Sequence, residues 1–107
     1  MNLIPTFFKV VNNGKRDAEK LRAIIEIPGS YMYSKIDCDD IFVEQTIDKG
    51  LELTLDKLSP RGYISGSVWY DSFGTGTNRK SKITVIYKNG RKEIEFSEGE
   101  LDKIISK

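Results

Sequence analysis

The chain has 107 residues, which fits one domain (1–107) that is large enough to hold its own hydrophobic core. Apolar residues make up 38% and charged residues 31%, with a net charge of +1, which excludes a disordered polymer and a strong pull of the whole molecule toward nucleic acid. With one cysteine, Cys38, and no histidine, the chain cannot form an intramolecular disulfide, a Ser-His-Asp or Cys-His catalytic site, or a cysteine-based zinc site.

The first third of the chain predicts a strand at "FFKVV" (7–11), a turn at "NNG" (12–14) and an ambiguous segment at 15–27. In that segment one apolar set has helical spacing (Ala18, Leu21, Ile25) and an overlapping set alternates as in a strand (Leu21, Ala23, Ile25, Ile27). We expect a helix that crosses into a strand, ended by Pro28-Gly29, with a strand throughout as the alternative.

The middle predicts a second hairpin and a further strand. Apolar residues alternate on both sides of 48–50, and pairing Ile47 with Leu51 puts Val43 opposite Leu55 on one apolar face. "SPRG" (59–62) predicts a tight turn. "YISGSVWYDS" (63–72) then predicts a strand, with Gly66 as a bulge or bend; Tyr63 and Trp69 share one face and Ile64, Val68 and Tyr70 share the other.

The last third predicts a hairpin and a helix. "KITVIYKNGRKEIEF" (82–96) contains the Asn89-Gly90 turn signal, and a two-residue loop there pairs two sets of apolar residues on one face (Val85 with Ile94, Ile83 with Phe96). Ser97 and Glu100 then have capping-box spacing, and Leu101, Ile104 and Ile105 recur at helical spacing. We therefore expect a short helix at 97–105 that docks on the sheet.

The glycine-rich loop at 71–81 is the first candidate site. Its two central glycines have neither the P-loop spacing nor the dinucleotide-binding pattern, and a strand rather than a helix follows it. The loop is therefore either a solvated tip or a binding loop for an anionic surface, with Phe73 as an aromatic anchor and Arg79, Lys80 and Lys82 as cations.

A second candidate is the strand face that carries Tyr63 and Trp69. If no helix covers it, its aromatics and serines suit stacking on bases or gripping a partner. The acidic run at 37–40 lacks the glycine and the distal glutamate of an EF-hand loop and is interpreted as a solvated turn. Its aspartates favour a neutral, inert thiol at Cys38.

Three segments, "AIIEIPGS", "YSKID" and "LTLDKLSPRGYISG", together resemble the opening of the soluble inorganic pyrophosphatases. The Asp-x-Asp-Pro-x-Asp metal cluster of that family is missing here, and the chain is too short for the rest of its barrel. The resemblance implies β structure from about residue 23 to 58 and carries no catalytic residue over.

Together these patterns predict an α+β domain: a mostly antiparallel, strongly bent sheet of about five to seven strands with one or two short helices. A partly open barrel is an alternative. We expect a cytoplasmic, non-enzymatic protein without cofactor or metal, because no catalytic motif is present, no run spans a bilayer and the start is not typical of a signal peptide.

The favoured function is covering a macromolecular surface, with a protein as the partner. Charge is segregated into an acidic block at 37–56, a basic block at 72–92 and an acidic block at 93–102, which favours contact with a partner. Frequent lysine, isoleucine and asparagine, typical of AT-rich genomes, suggest a phage or mobile-element accessory such as an inhibitor of host defence enzymes. The alternatives are a nucleic-acid-binding module that uses the basic loop and the aromatic strand face, and a structural subunit of a larger assembly. The oligomeric state stays open.

Overall fold

The protein, in a computed structural model that describes residues 3–71, 80–97 and 103–106, is built from β-strands. The strands in this part of the chain are β1 (Leu3–Val11), β2 (Ala18–Glu26), β3 (Ser30–Cys38), β4 (Val43–Ile47), β5 (Gly50–Leu58), β6 (Tyr63–Asp71), β7 (Lys80–Tyr87), β8 (Gly90–Ser97) and β9 (Lys103–Ser106). No helix occurs among these residues, so the predicted α+β class is wrong and the fold is all-β.

The strands form two sheets. The first has the order β3-β6-β1-β9 and the second β4-β5-β2-β7-β8. Neighbours are antiparallel except β1 and β9, which are parallel. The prediction of one strongly bent sheet is wrong, because the described strands form two separate sheets. Among these strands only the β4–β5 and β7–β8 hairpins join two strands of the same sheet. Every other connection crosses to the opposite sheet.

The two sheets share one core made by their inward-facing residues. Phe8 and Val10 of β1 and Ile64, Val68 and Tyr70 of β6 come from the first sheet. The second sheet contributes a larger apolar set (Ala18, Leu21, Ala23, Ile25, Leu51, Leu53, Leu55, Leu58, Ile83, Val85). Burial of such side chains stabilises a fold by about 1.5–3 kcal/mol each for the larger ones. Because side chains alternate along a strand, the residues between these core positions point to the outer side of each sheet.

The segment that was predicted to start as a helix is strand β2 instead. Lys20 has a left-handed backbone (φ 52°) inside the strand, and this interrupts the alternation. Ala18 and Leu21 are therefore both buried although they are three residues apart, opposite Leu58 and Leu55 of β5. A spacing of three imitates a helical face, which explains the wrong prediction.

The prediction of a helix at 97–105 is also wrong for the residues of that range that the structure describes, 97 and 103–105. Ser97 ends strand β8, and Lys103–Ser106 is strand β9; the rest of the predicted helix lies outside the described residues. β9 pairs in parallel with β1, from Phe8 opposite Lys103 to Val11 opposite Ser106. Two adjacent isoleucines favour an extended backbone, and β1 offers an edge that β6 does not occupy.

Both predicted hairpins exist, but their registers differ from the prediction. In the β7–β8 hairpin Tyr87 lies opposite Gly90 and Ile83 opposite Ile94, a shift of two that keeps every side chain on its predicted face. The Tyr87 ring lies where a Cβ of residue 90 would be, because that Cβ would be 2.6 Å from the tyrosine Cζ. Gly90 therefore fits the strand rather than the turn.

The β4–β5 hairpin is shifted by one residue, which exchanges its faces. Ile47 lies opposite Gly50, and Val43 lies opposite Thr54 and is 64% exposed instead of buried. Gly50 has φ 155°, and a Cβ there would collide with the backbone oxygen of Ile25 on β2. This close approach places Gly50 within the strand and leaves a two-residue turn.

The predicted turns at 12–14 and 59–62 are confirmed, and Asn12 joins them. Its backbone N–H donates to the oxygen of Gly62 (3.0 Å), and its own oxygen accepts from Arg61 N (2.7 Å). The side-chain amide, 1% exposed, donates to the oxygens of Arg16 and Leu58 (both 2.8 Å), and Gly14 N donates to its Oδ1 (2.9 Å). Asn12 thus ties the ends of both sheets together.

Candidate binding face on the first sheet

The outer side of the first sheet carries the candidate site, which we call the aromatic face. Register aligns its residues in rows that run across β1, β6 and β3: Leu3–Asp71–Ser30, Pro5–Trp69–Tyr33, Phe7–Ser67–Lys35 and Lys9–Ser65–Asp37. Apolar and aromatic side chains are concentrated in the first two rows, in which Asp71 is the one charged residue, and the last row is polar and charged. No strand among the described residues covers it.

A stacked aromatic pair dominates the apolar end. The rings of Tyr33 and Trp69 have centroids 5.7 Å apart and an interplanar angle of 12°. Trp69 Nε1 donates to Ser67 Oγ (3.2 Å), which fixes the indole against the sheet. Tyr33, Met32 and Leu3 are each about two-fifths exposed, at 42%, 41% and 40%. The result is an apolar surface that is ordered by its own contacts and open to solvent.

At the polar end Tyr63 is the centre of a small network. Its hydroxyl donates to Asp37 Oδ2 (3.0 Å), and Lys9 Nζ lies 5.4 Å from its ring centroid. The hydrogen bond to the Asp37 carboxylate raises the pKa of Tyr63, and the negative charges of Asp37 and Asp39 act in the same direction. Tyr63 is therefore neutral at physiological pH and acts as a donor, not as a base.

An open groove of about 370 Å³ lies between the two ends, and its lining includes Phe7, Lys9, Lys35, Ser65 and Ser67. Within the described part of the chain Lys35 has no ion pair, since none of the salt bridges there involves it. The groove thus offers two cations, two hydroxyls and one aromatic ring to a partner. As lined by the described residues, the groove is open to solvent.

The structure separates the other predicted site residues from this face. Lys82 lies on β7 in the second sheet, where its Nζ is 3.3 Å from Glu26 Oε1, and Lys80 is exposed at the start of the same strand. Neither shares a surface with Tyr63 and Trp69, which are on the outer side of β6 as predicted. Phe73 and Arg79 lie outside the described residues.

The acidic run at 37–40 has structural partners. Asp40 accepts from the backbone N and the Oγ of Ser59 (2.9 and 3.3 Å), and Asp39 accepts from the backbone N of Tyr63 (3.2 Å). Among the residues that are described, no three acidic or thiol side chains form a group that could hold a metal ion. Burial, opposed by a backbone hydrogen bond and aided by neighbouring aspartates, raises the pKa of Cys38.

Sequence reasoning missed four residues of the aromatic face: Phe7, Lys9, Tyr33 and Lys35. Phe7 and Lys9 alternate with buried Phe8 and Val10, so the period of two could have found them. Tyr33 could not be found that way. A register shift between Tyr31 and Tyr33 turns the first toward the core and the second outward, although they are two residues apart.

No family model, curated protein or solved structure matches this chain. The resemblance of its "AIIEIPGS" and "LTLDKLSPRGYISG" segments to pyrophosphatases is therefore limited to the strands and turns they form, β2, β5, β6 and the turn between the last two. In the described ranges no helix is long and apolar enough to cross a membrane.

Proposed function

We propose that this chain is a non-enzymatic binding protein that docks on a partner protein through the aromatic face. The observation that carries the proposal is one contiguous set of ordered apolar side chains on the outer side of the first sheet, Leu3, Pro5, Phe7, Tyr33 and Trp69, with exposed Met32 next to Tyr33 in the chain. Aromatic residues and methionine are enriched at protein interfaces relative to the remaining surface. Residues that a sheet already holds in place lose little freedom on binding.

The charges near this face favour a protein over a nucleic acid. The four rows of this face contain two cations, Lys9 and Lys35, and two carboxylates, Asp37 and Asp71. Binding to phosphate backbones relies on several uncompensated cations, which this face does not offer. Tyr33 and Trp69 also stack on each other, so one face of each ring is already occupied. The expected partner has an apolar centre and an acidic group that meets Lys35.

A narrower proposal concerns the consequence of docking. If the covered surface of the partner includes its active site, binding inhibits that partner, and the chain acts as the accessory or inhibitor that its composition suggests. Such a role requires only steric cover, so it fits a face that presents no acid–base pair or nucleophile.

The test compares capture by the native chain with capture by two matched truncations. Trp69→Ala removes an anchor of the aromatic face, and Ile24→Ala removes a half-buried apolar side chain from the outer side of the second sheet. Bait protein is incubated with nuclease-treated host extract, and bound proteins are identified by mass spectrometry. We expect a protein that the native chain and Ile24→Ala retain and that Trp69→Ala loses by at least about tenfold, since aromatic anchors are worth about 1.4 kcal/mol or more.

Capture that is equal for all three chains would place the contact elsewhere and overturn the proposal. Capture that disappears on nuclease treatment would do the same, because it would show that nucleic acid is the ligand. A second variant, Lys35→Glu, sharpens the result: it reverses the charge of the exposed lysine and should weaken the same complex, more at low salt than at high salt.

A further inference from the structure

Strand β4 (Val43–Ile47) forms an outer edge of the second sheet, and in the described chain only β5 pairs with it. An unpaired edge offers backbone N–H and C=O groups to another strand, so folded proteins usually protect it with lysine, proline or a bulge. β4 has no lysine, proline or bulge, and its one charged residue is Glu44, whereas the edge strand β3 has a register shift at Met32 and β8 carries Arg91 and Lys92. Ile41 and Val43, 92% and 64% exposed, add apolar surface beside it.

We propose that β4 pairs with β4 of a second copy of this chain, antiparallel and around a two-fold axis, so that the two five-stranded sheets become one continuous sheet. This edge is distinct from the aromatic face, which belongs to the other sheet and stays open in such a dimer. The inference is therefore independent of the proposed function.

Symmetry restricts the register of this pairing. A two-fold axis perpendicular to a sheet keeps each side chain on its own face, and directly opposed residues share a face, so one residue must lie opposite its own copy. An axis at Glu44 opposes two glutamates, and an axis at Thr46 opposes Glu44 to Asp48. An axis at Gln45 opposes no like charges and, unlike an axis at Val43 or Ile47, pairs all five residues of the strand.

The Gln45 register also matches apolar residues with each other. It sets Val43 of one copy against Ile47 of the other on the outer face and Glu44 against Thr46 on the inner face. Glu44 is already held in place, since Ser34 Oγ donates to its Oε2 (2.8 Å). Five paired residues bury a modest area, so we expect a weak dimer with a dissociation constant of order micromolar.

Opposite charges at the axis test both the pairing and its register. Gln45 is exposed and lies beside Glu52 on β5, so Gln45→Lys gains a neighbouring carboxylate and should fold as well as the native chain. Gln45→Lys and Gln45→Glu each oppose two like charges across the two-fold. A mixture of the two opposes a lysine to a glutamate instead.

Sedimentation velocity, followed over a range of about 1–500 µM that spans the expected dissociation constant, provides the measurement. We expect the native chain to dimerise, each single variant to dimerise at least about tenfold more weakly, and their mixture to recover the native affinity. Asn89→Lys, an equal charge change at the exposed β7–β8 turn, should dimerise like the native chain. A native chain that stays monomeric throughout, a dimer that Gln45→Lys leaves intact, or a mixture that does not recover would each overturn the proposal.

Discussion

The two outer faces of this protein differ in how they meet water. On the second sheet charged side chains pair across strands: Arg22 with Glu52, and Lys82 with Glu26. On the first sheet the corresponding positions hold aromatic and apolar side chains, with Lys35 free of ion pairs in the described residues. The second sheet also has apolar residues on its outer side, such as Val43 and Ile24, but they form no stacked aromatic pair there among the described residues. The contrast between the two faces is therefore one between ion pairs and a stacked aromatic pair.

The largest expected effect on the free energy of unfolding comes from substituting Asn12. The same unfolding measurement tests whether the two sheets unfold as one cooperative unit. Asn12→Ala removes three hydrogen bonds, one buried and two part-buried, between connections that serve both sheets. We expect it to lower the free energy of unfolding by about 3 kcal/mol, roughly 1 for each bond with its partner left unsatisfied. Urea denaturation followed by circular dichroism and by tryptophan fluorescence, which reports on Trp69, measures this.

Asn13→Ala is the matched control, because Asn13 is exposed and should change the unfolding free energy by less than about 0.5 kcal/mol. If circular dichroism and tryptophan fluorescence show two separate transitions in the native chain, the two sheets unfold independently. The two outer faces would then belong to two independent folding units and not to one.

The aromatic stack should contribute a moderate energy that salt does not change. A double-mutant cycle with Tyr33→Ala and Trp69→Ala should give a coupling of about 1 kcal/mol, because the rings interact by offset stacking and not by net charge. The coupling is measured by urea denaturation at low salt and at about 1 M salt, where exposed charges are screened. A coupling that vanished at high salt would contradict the assigned contact.

The corresponding cycle on the other face should be smaller and dependent on salt. Arg22→Ala and Glu52→Ala should couple by about 0.5 kcal/mol, since the arginine side chain is half exposed and screened by solvent. At about 1 M salt this coupling should fall toward zero. Equal salt responses for the two cycles would remove the distinction between the faces.

The smallest effect concerns the pKa of Tyr63. The pKa is raised above its ordinary value of 10.0 because the neutral hydroxyl donates to Asp37. This contribution to stability is present below pH 10 and is lost as the pH rises through the folded-state pKa. Tyrosinate absorbance during an alkaline titration should therefore shift to lower pH in Asp37→Asn and stay in place in Asp56→Asn, which alters the second sheet. An identical titration in Asp37→Asn would exclude the hydrogen bond as the cause.

Much of the architecture was readable where alternation and turn chemistry agree. The period of two puts Tyr63 and Trp69 on one face of β6 and Ile64 and Tyr70 on the other, and the structure has Ile64 and Tyr70 on the buried face. The turn at 59–62 followed from its proline and glycine. At such positions the residue type alone indicates whether the side chain is buried, exposed or part of a turn.

The rest depended on backbone geometry that residue types do not encode. The left-handed backbone of Lys20 changes the spacing of buried residues in β2 from two to three. The close contact between Gly50 and the Ile25 backbone shifts the register of the β4–β5 hairpin by one residue. The candidate site was incomplete for the same reason. The shift at Met32 hid Tyr33, and the crossing of β7 to the second sheet separated Lys82 from Trp69.

The parallel pairing of β1 with β9 has a consequence for how the chain is made. Residues 103–106 cover an edge of a strand that begins at residue 3, so about a hundred residues must be translated between the two partners. At about 5–20 residues per second this takes roughly 5–20 s. β1 can pair with β6 earlier during synthesis. The backbone groups on the other edge of β1 stay unpaired until β9 has been synthesised. During this interval the unpaired edge of β1 is a template on which a strand of a neighbouring nascent chain can pair.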